Sequence, residues 1–313
     1  MNNDGYVHIP VLLNEVINGL NIKEDGIYVD CTMGGAGHSS EILKRLSSKG
    51  HLYTFEQDDY ALERGTNRLK EVGDNFTVIN DNFVNIKSRL NELGVYKVDG
   101  ILYDLGVSSF QFDIGDRGFS YNSEARLDMR MNQNQDLTAY DIVNYYSKDE
   151  IKKILYKYGE EKFADRIAGN IVKMRDQKPI ETTFDLVDVV KGSLPQAILR
   201  QKGHPAKQVF QALRIAVNDE LNVFEHSLND ALTMLNEKGR IAVITFHSLE
   251  DKICKYTFRE KVEVDIPRGI PIMEKDIKRE YQLVNKNVIV ATDEELQYNN
   301  RAHSAKLRII EKL

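Results

Sequence analysis

The chain has 313 residues, 42% of them hydrophobic and 29% charged, with 42 Lys+Arg against 48 Asp+Glu for a net charge of −6. That length asks for one large domain with an insertion, or for two domains, and the apolar fraction excludes wholesale disorder. No run approaches the roughly 18 uninterrupted apolar residues of a membrane-spanning helix, and a net negative charge confines any nucleic-acid surface to a local patch.

The opening Met1-Asn-Asn-Asp-Gly5 has neither a basic nor an apolar stretch, so no secretory signal is expected. The two cysteines, Cys31 and Cys254, stand far apart in no metal-ligand spacing, so a reducing, cytoplasmic setting is expected and no metal is required. Residues 26–32 read as a buried strand that opens into the glycine cluster Gly34-Gly35-Ala36-Gly37. Residues 51–56, 76–79 and 100–103 read as further strands, with helical stretches such as 39–46 and 60–72 between them. Strands separated by helices of that length predict right-handed βαβ units on a parallel sheet.

After about Phe112 the pattern changes. Up to about Pro205 there is no convincing strand, while Ser147-Lys-Asp-Glu150 and Thr182-Thr-Phe-Asp185 have the form of capping boxes. A long helix is predicted over 206–236, with Leu213, Val217, Leu221, Phe224, Leu228, Leu232 and Leu235 at helical spacing. Strand character returns at 239–245, and two late β-runs, 283–290 and 305–310, suggest a closing hairpin. The expected architecture is therefore a discontinuous α/β domain, 1–112 and 206–313, interrupted by an all-helical insertion over 113–205. Such insertions cost little, because closure entropy grows only logarithmically with length.

The glycine cluster sits where the first strand turns into the first helix, the position at which a backbone approaches a ligand closely. Glu56 ends the next strand 19 positions after Gly37, as suits a carboxylate bonded to a ribose diol. Together they point to an adenosine-containing cofactor, either a nicotinamide dinucleotide or S-adenosylmethionine. Asp30, Glu56, Gln57, Asp58, Asp81 and Asp104 at successive strand ends form an acidic rim, which repels a pyrophosphate and attracts a sulfonium and an ammonium. That favours a methyltransferase. Asp104-Leu-Gly-Val-Ser-Ser-Phe-Gln111 follows the fourth strand, where a carboxylate can accept the N–H of an exocyclic amine. Asp104 can serve the amine in this way, or hold the cofactor.

Several stretches resemble the bacterial 16S ribosomal RNA cytosine-N4 methyltransferases (the RsmH, formerly MraW, family) over nearly the whole chain. They are His8-Ile-Pro-Val-Leu-Leu-Asn-Glu15, Asp30-Cys-Thr-Met-Gly-Gly-Ala-Gly-His38, Asp104-Leu-Gly-Val-Ser-Ser109, Arg117-Gly-Phe-Ser120, Leu127-Asp-Met-Arg-Met131, Tyr158-Gly-Glu-Glu-Lys-Phe163, Phe210-Gln-Ala-Leu-Arg214 and Phe246-His-Ser-Leu-Glu-Asp251. The resemblance implies a Rossmann-like, S-adenosylmethionine-dependent methyltransferase with an inserted helical domain that recognises ribosomal RNA. The reaction it implies is methyl transfer to N4 of a decoding-centre cytosine in the small subunit. It also implies cofactor contacts at Ala36, Gly37, His38, Glu56, Phe83, Asp104 and Gln111. From the residues themselves Asp104 is the catalytic candidate, orienting either the amino group or the methyl donor. Two positions depart from the family pattern: Glu56 stands where Asp is usual, and Phe110 where proline is usual.

Read without the resemblance, His38 is a backbone contact or a helix cap, and Phe83 packs on adenine or in the core. His247 faces the substrate or merely ends a strand. His247 and Ser248 cannot form a hydrolase relay, since neighbours on a strand point to opposite faces; Ser248 with Asp251 reads instead as a capping box. Residues 191–218 hold Lys191, Arg200, Lys202, Lys207 and Arg214 and no acid, a local +5 that suits RNA phosphates. Taking those five from the 42 leaves 37 against 48, or −11, elsewhere. Arg117, Phe119, Tyr121, Arg126 and Arg130 add cations and aromatics that either stack a splayed base or pack the insertion's own core. The RNA-facing candidates are thus Arg130, Lys202, Lys207, Arg214 and His247. Two rival functions share parts of this pattern, a non-catalytic RNA-binding ribosome assembly factor and a nicotinamide-dependent oxidoreductase.

Overall fold

The structure, a computed structural model, describes residues 9–107, 115–263 and 279–313. Seven strands, β1 (Ile27–Asp30), β2 (His51–Glu56), β3 (Phe76–Asn80), β4 (Val98–Asp104), β5 (Leu235–Thr245), β6 (Tyr281–Leu283) and β7 (Lys306–Lys312), form one sheet in the order β3-β2-β1-β4-β5-β7-β6. The pairs from β3 to β5 are parallel, while β7 runs antiparallel to both β5 and β6. Strand order reverses between β1 and β4, so their carboxyl ends border the crevice where open α/β sheets bind ligands.

The two-residue period of a strand sorts each side chain to one face of this sheet. Val29, Ile101, Tyr103, Ile241 and Val243 join one apolar cluster, and Tyr28, Leu102, Ala242 and Ile244 join the other. Both faces are covered, which is why β4 and the end of β5 read as nearly continuous apolar runs. The expected strand at 283–290 is cut short at Leu283. The Asn285 side chain takes over the pairing there: its Oδ1 accepts the Ile309 N–H at 2.8 Å, and its Nδ2 donates to Asn287 O and Leu307 O. Only an isolated bridge between Ile289 and Leu307 follows.

Helices α1 (Leu13–Leu20), α2 (Gly37–Leu43), α3 (Asp59–Lys70) and α4 (Ile86–Glu92) lie between the early strands. Asp58 caps α3 by accepting from the Tyr60 and Ala61 N–H groups, an arrangement typically worth about 1 kcal/mol. The chain divides into two compact units, one holding the described residues up to Gly106 with Leu221–Leu313, the other Val107–Glu220.

The second unit is helical, with α5 (Ala139–Tyr145), α6 (Lys148–Gly159), α7 (Ala164–Arg175), α8 (Thr183–Ser193), α9 (Gln196–Leu199) and α10 (Lys207–Asn218). Capping boxes open α5 at Thr138, α6 at Ser147 and α8 at Thr182, the last two as the sequence predicts. The division falls at 106/107 and 220/221 rather than at 112/113 and 205/206. One reason is that α10 buries Val209, Phe210, Leu213 and Val217 in the same core as Leu127, Ile142, Leu155, Ile167 and Leu186.

The single helix expected over 206–236 is two. Asp219 stands in the left-handed region at φ 49°, with its N–H on Ile215 O, and ends α10. Asn218 fastens that end by donating to Met129 O and accepting from Met131 N, both at 2.8 Å. The helix that follows is α11 (Glu220–Met234), and α12 (Ser248–Val262) and α13 (Asp293–Tyr298) come after it. The cap of α12 is His247 with Glu250, in place of Ser248 with Asp251. Asp251 is committed elsewhere, to Arg308 Nε at 2.8 Å and Lys306 Nζ at 3.3 Å.

Candidate active site

The loop from β1 to α2 is built on backbone that side chains rarely adopt. Gly34 has φ 48° and Ala36 φ 55°; for alanine, which lacks glycine's freedom, the left-handed region costs roughly 1–2 kcal/mol. The turn is closed by Ala36 N–H on Met33 O at 2.7 Å. At Gly37 the requirement is space, since an added Cβ would lie 2.4 Å from Pro10 Cγ. The N-terminal segment therefore rests directly on the loop. It is pinned in turn by Leu12 N–H on Glu295 Oε1 at 3.0 Å and by Asn299 Nδ2 on Ile9 O at 3.3 Å.

Asp30, at the end of β1, is 1% exposed and accepts from Thr32 N at 2.9 Å and Ser39 Oγ at 2.6 Å. Burial pushes its carboxyl above the ordinary range, against the pull of those donors. Thr32 carries the connection to the next strand, since its Oγ1 accepts the Asp104 N–H at 2.7 Å. The ends of β1 and β4 are thus tied together beside the glycine loop.

Glu56 folds back on this loop. Its Oε2 accepts from Gly34 N at 2.9 Å, and its Oε1 from the Gln57 and Asp58 N–H groups, both at 2.9 Å. Desolvation dominates over these donors and pushes its carboxyl up to about 7. The extra methylene relative to aspartate is what lets one side chain cross from the end of β2 to Gly34.

His38 is buried in the first turn of α2. Its Nε2 lies 3.0 Å from Val11 O and its Nδ1 3.3 Å from Asp104 Oδ2. Burial alone would lower the imidazole, but the hydrogen bond and charge of Asp104, with Asp30 behind it, outweigh burial and raise it. Asp104 Oδ1 is buried with no hydrogen-bond partner among the described residues. A carboxylate oxygen left in that state is costly unless a ligand completes it.

Phe83 opens a short 3₁₀ turn. Its ring meets Tyr103 edge-on at 5.7 Å between centroids, and its carbonyl accepts from Ser227 Oγ at 2.8 Å. Ser227 Oγ also lies 2.7 Å from the Tyr103 hydroxyl, a link between helix α11 and β4 that no local sequence signal announces. Ala36, Gly37, His38, Glu56, Asp104 and Phe83 thus all belong to the sheet unit. Gln111 and the neighbouring Phe110 lie outside the described residues.

The basic candidates separate into two kinds. Arg130 is consumed internally, with Nε and Nη2 on the two Asp128 oxygens at 2.8 Å each and Nη1 on the carbonyls of Gln133 and Gln135. Arg214 forms a two-pronged pair with Glu220, both distances 2.8 Å, at low exposure on either side. Lys191, Arg200, Lys202 and Lys207 are exposed. Phe119 is buried in the second unit's core, while Tyr121 stacks on His204 at 4.3 Å and meets Phe210 edge-on. His247 serves the α12 cap: its Nδ1 accepts from Glu250 N at 3.4 Å, and its Nε2 lies 3.0 Å from Glu250 Oε1.

The architecture is a mixed α/β, Rossmann-like sheet with its acidic and glycine-bearing residues at the switch point. Among solved structures the chain is similar to an rRNA methylase from Streptococcus thermophilus, at 14% identity and a TM-score of 0.45 over 98% of this chain and 99% of that one, a distant likeness that adds nothing to the assignment. It is 54% identical over 309 residues to the ribosomal RNA small subunit methyltransferase H of Exiguobacterium sibiricum, covering 98% of this chain and 99% of that one. It is 52% identical over 308 residues to the protein of the same name from Streptococcus dysgalactiae subsp. equisimilis, covering 98% of each. The model of the MraW methylase family matches residues 5–313, and the chain belongs to that family.

Proposed function

We propose that the chain transfers a methyl group from S-adenosylmethionine to the exocyclic N4 of a cytosine in the decoding centre of 16S rRNA, within the small ribosomal subunit. The observation that carries the reading is Asp104 at the tip of β4, with one carboxylate oxygen held by His38 and the other buried without a partner among the described residues, beside the glycine loop. S-adenosylmethionine, when bound, supplies an electrophilic methyl group on a cationic sulfur. Its adenosine falls to the loop residues Ala36, Gly37 and His38 with Glu56 and Phe83, and Gln111 completes the set. The acidic residues Asp30 and Asp104 suit a cationic cofactor and oppose a pyrophosphate, and Glu56, pushed up to about 7, adds its charge as pH rises through that value.

A cytosine amine is a weak nucleophile because its lone pair is delocalised into the ring. Asp104 Oδ1 accepts an N–H of that amine, draws density back to nitrogen and orients it for in-line approach at about 3 Å, where positioning supplies much of the acceleration; as the N–C bond replaces the methyl–sulfur bond and a neutral thioether leaves, the same oxygen takes the proton that N4 gives up. The target base has to leave its stack to reach such a site. The second unit docks the RNA through Lys202 and Lys207, with Lys191 and Arg200 beside them in the same exposed basic segment. Arg130 and Arg214, bound internally, support that unit instead of touching phosphate, and His247 holds the start of α12.

No described helix is long and apolar enough to cross a membrane; the proposed place of action is the cytoplasm. The test is to incubate the protein with labelled S-adenosylmethionine and small subunits from a strain lacking the gene, then map the modified nucleoside by mass spectrometry. N4-methylcytidine is expected, and its absence while subunits bind would refute the catalytic reading. Asp104→Ala is expected to abolish turnover. Intact cofactor affinity in that variant assigns Asp104 to the amine, and loss of both assigns it to the cofactor.

A further inference from the structure

We propose that His38 is a positioning residue that works as an imidazolium, its two ring N–H groups clamping the Val11 carbonyl and the Asp104 carboxylate so that Asp104 is held in one orientation with Oδ1 left for the reacting groups. The functional half of this inference rests on the methyl-transfer reading; the structural half does not. It begins from what each partner can do. A carbonyl only accepts, so Nε2, 3.0 Å from Val11 O, must carry a proton. A neutral imidazole has a single N–H, which would leave Nδ1 as a bare lone pair 3.3 Å from Asp104 Oδ2. Two lone pairs at that distance repel, so a second proton has to sit between them. Turning the ring over would put C–H groups against both acceptors and recover neither bond.

The second proton belongs on His38. The charged groups that face it are Asp104 from β4 and Asp30 from β1, both carboxylic, and the N-terminal segment contributes the carbonyl dipole of Val11. Each favours a cation, and together they outweigh the cost of burial. Asp104 is therefore held at Oδ2 by the imidazolium, and the Thr32 hydroxyl holds its backbone N–H at 2.7 Å. The orientation of the pair is set from outside: Val11 is fixed by Pro10 against Gly37 and by Leu12 on Glu295, so the N-terminal segment and α13 determine where Asp104 points.

The pair is read directly by NMR of the full-length, cofactor-free chain labelled with ¹⁵N-histidine. Of the seven histidines, one is expected to keep protons on both ring nitrogens to a pH above the ordinary histidine value of about 6.5, where the exposed ones have lost the second proton. That signal should revert to a neutral imidazole in Asp104→Asn. A wild-type pH titration in which no histidine keeps its second ring proton above the ordinary value of about 6.5 overturns the proposal whatever the activity. So does a doubly protonated histidine that persists unchanged in both Asp104→Asn and His38→Gln. For the functional half, His38→Gln should lower kcat by about ten- to a hundredfold, the range for losing a charged hydrogen bond, with KM for small subunits unchanged. The wild-type rate should fall as pH rises through the raised His38 value, and that alkaline limb should vanish in His38→Gln. A variant with wild-type kcat and an unchanged pH profile overturns the positioning role. If the wild type itself transfers no methyl group, the functional reading fails while the NMR result still decides the pair.

Discussion

Replacing Gly37 with alanine measures how firmly the N-terminal segment seats on the glycine loop. The added Cβ would lie 2.4 Å from Pro10 Cγ and 3.3 Å from Pro10 Cβ, against an optimal carbon–carbon separation of about 3.5–4.0 Å. Roughly 1 Å of room has to open. Pro10 cannot supply it by rotating a side chain, because its ring is closed on the backbone. The backbone is itself held on both sides, by Asn299 at Ile9 and by Glu295 at Leu12. Overpacking of this kind costs about 1–3 kcal/mol, and the pinned backbone argues for the upper half of that range. Alanine recovers up to about 1 kcal/mol of helix propensity at the start of α2. The net expectation is a loss of about 1–2 kcal/mol, read as a lowered urea midpoint by far-ultraviolet circular dichroism. In a Pro10→Ala background the offending Cγ is gone, so the same substitution should be neutral or stabilising, a coupling of about 2 kcal/mol. Equal costs in the two backgrounds would refute the packing argument.

Glu56 should make the wild type less stable as pH rises. Its folded value of about 7 lies above the ordinary 4.5, so its contribution is complete below about 4.5 and is lost as pH climbs through 7, by at most about 3 kcal/mol. Urea midpoints of the wild type measured against Glu56→Gln should therefore diverge between pH 5 and pH 8, and parallel profiles would contradict this. Arg214→Ala strips the partner from a poorly exposed Glu220 and should cost about 2–4 kcal/mol; Arg214→Ala with Glu220→Gln should recover part of it, and a single-variant loss under 0.5 kcal/mol would show that the pair is dispensable. Lys202→Glu with Lys207→Glu should weaken small-subunit binding and flatten its salt dependence while cofactor affinity by calorimetry stays constant. Equal loss of both affinities would point to misfolding instead.

What is legible in the sequence is whatever short-range chemistry encodes. The parallel strands read at 26–32, 51–56, 76–79 and 100–103, and found at 27–30, 51–56, 76–80 and 98–104, are legible because buried strands are apolar runs between helical stretches. The caps at Ser147 and Thr182 were readable because each satisfies its donors within three residues. The break at Asp219 was not, since leucine spacing continues across it and the cause is Asn218 reaching residues 129 and 131. Nor was the end of β6, which turns on Asn285 bonding to strand β7. The sequence points to Ser248 for the α12 cap because serine is the commoner capping type, but Asp251, the partner it would need, is drawn away by Arg308 and His247 takes the place.

The sequence by itself determined that an acidic rim and a glycine loop occupy the carboxyl ends of parallel strands, and that positive charge is gathered in residues 191–218 of a chain whose net charge is −6. Those are properties of spacing and composition, and they survive any particular packing. Only the tertiary structure decided which of the charges are available. Arg130 and Arg214 count as cations in the sequence, yet their guanidinium groups are spent on Asp128 and Glu220, whereas Lys202 and Lys207 stay exposed. Asp104 and His38, 66 positions apart, become a pair only because β4 lies beside β1 and the N-terminal segment folds across α2. Long-range contacts set burial, burial sets the energy of each charge, and that energy decides which carboxylate oxygen is left without a partner among the described residues.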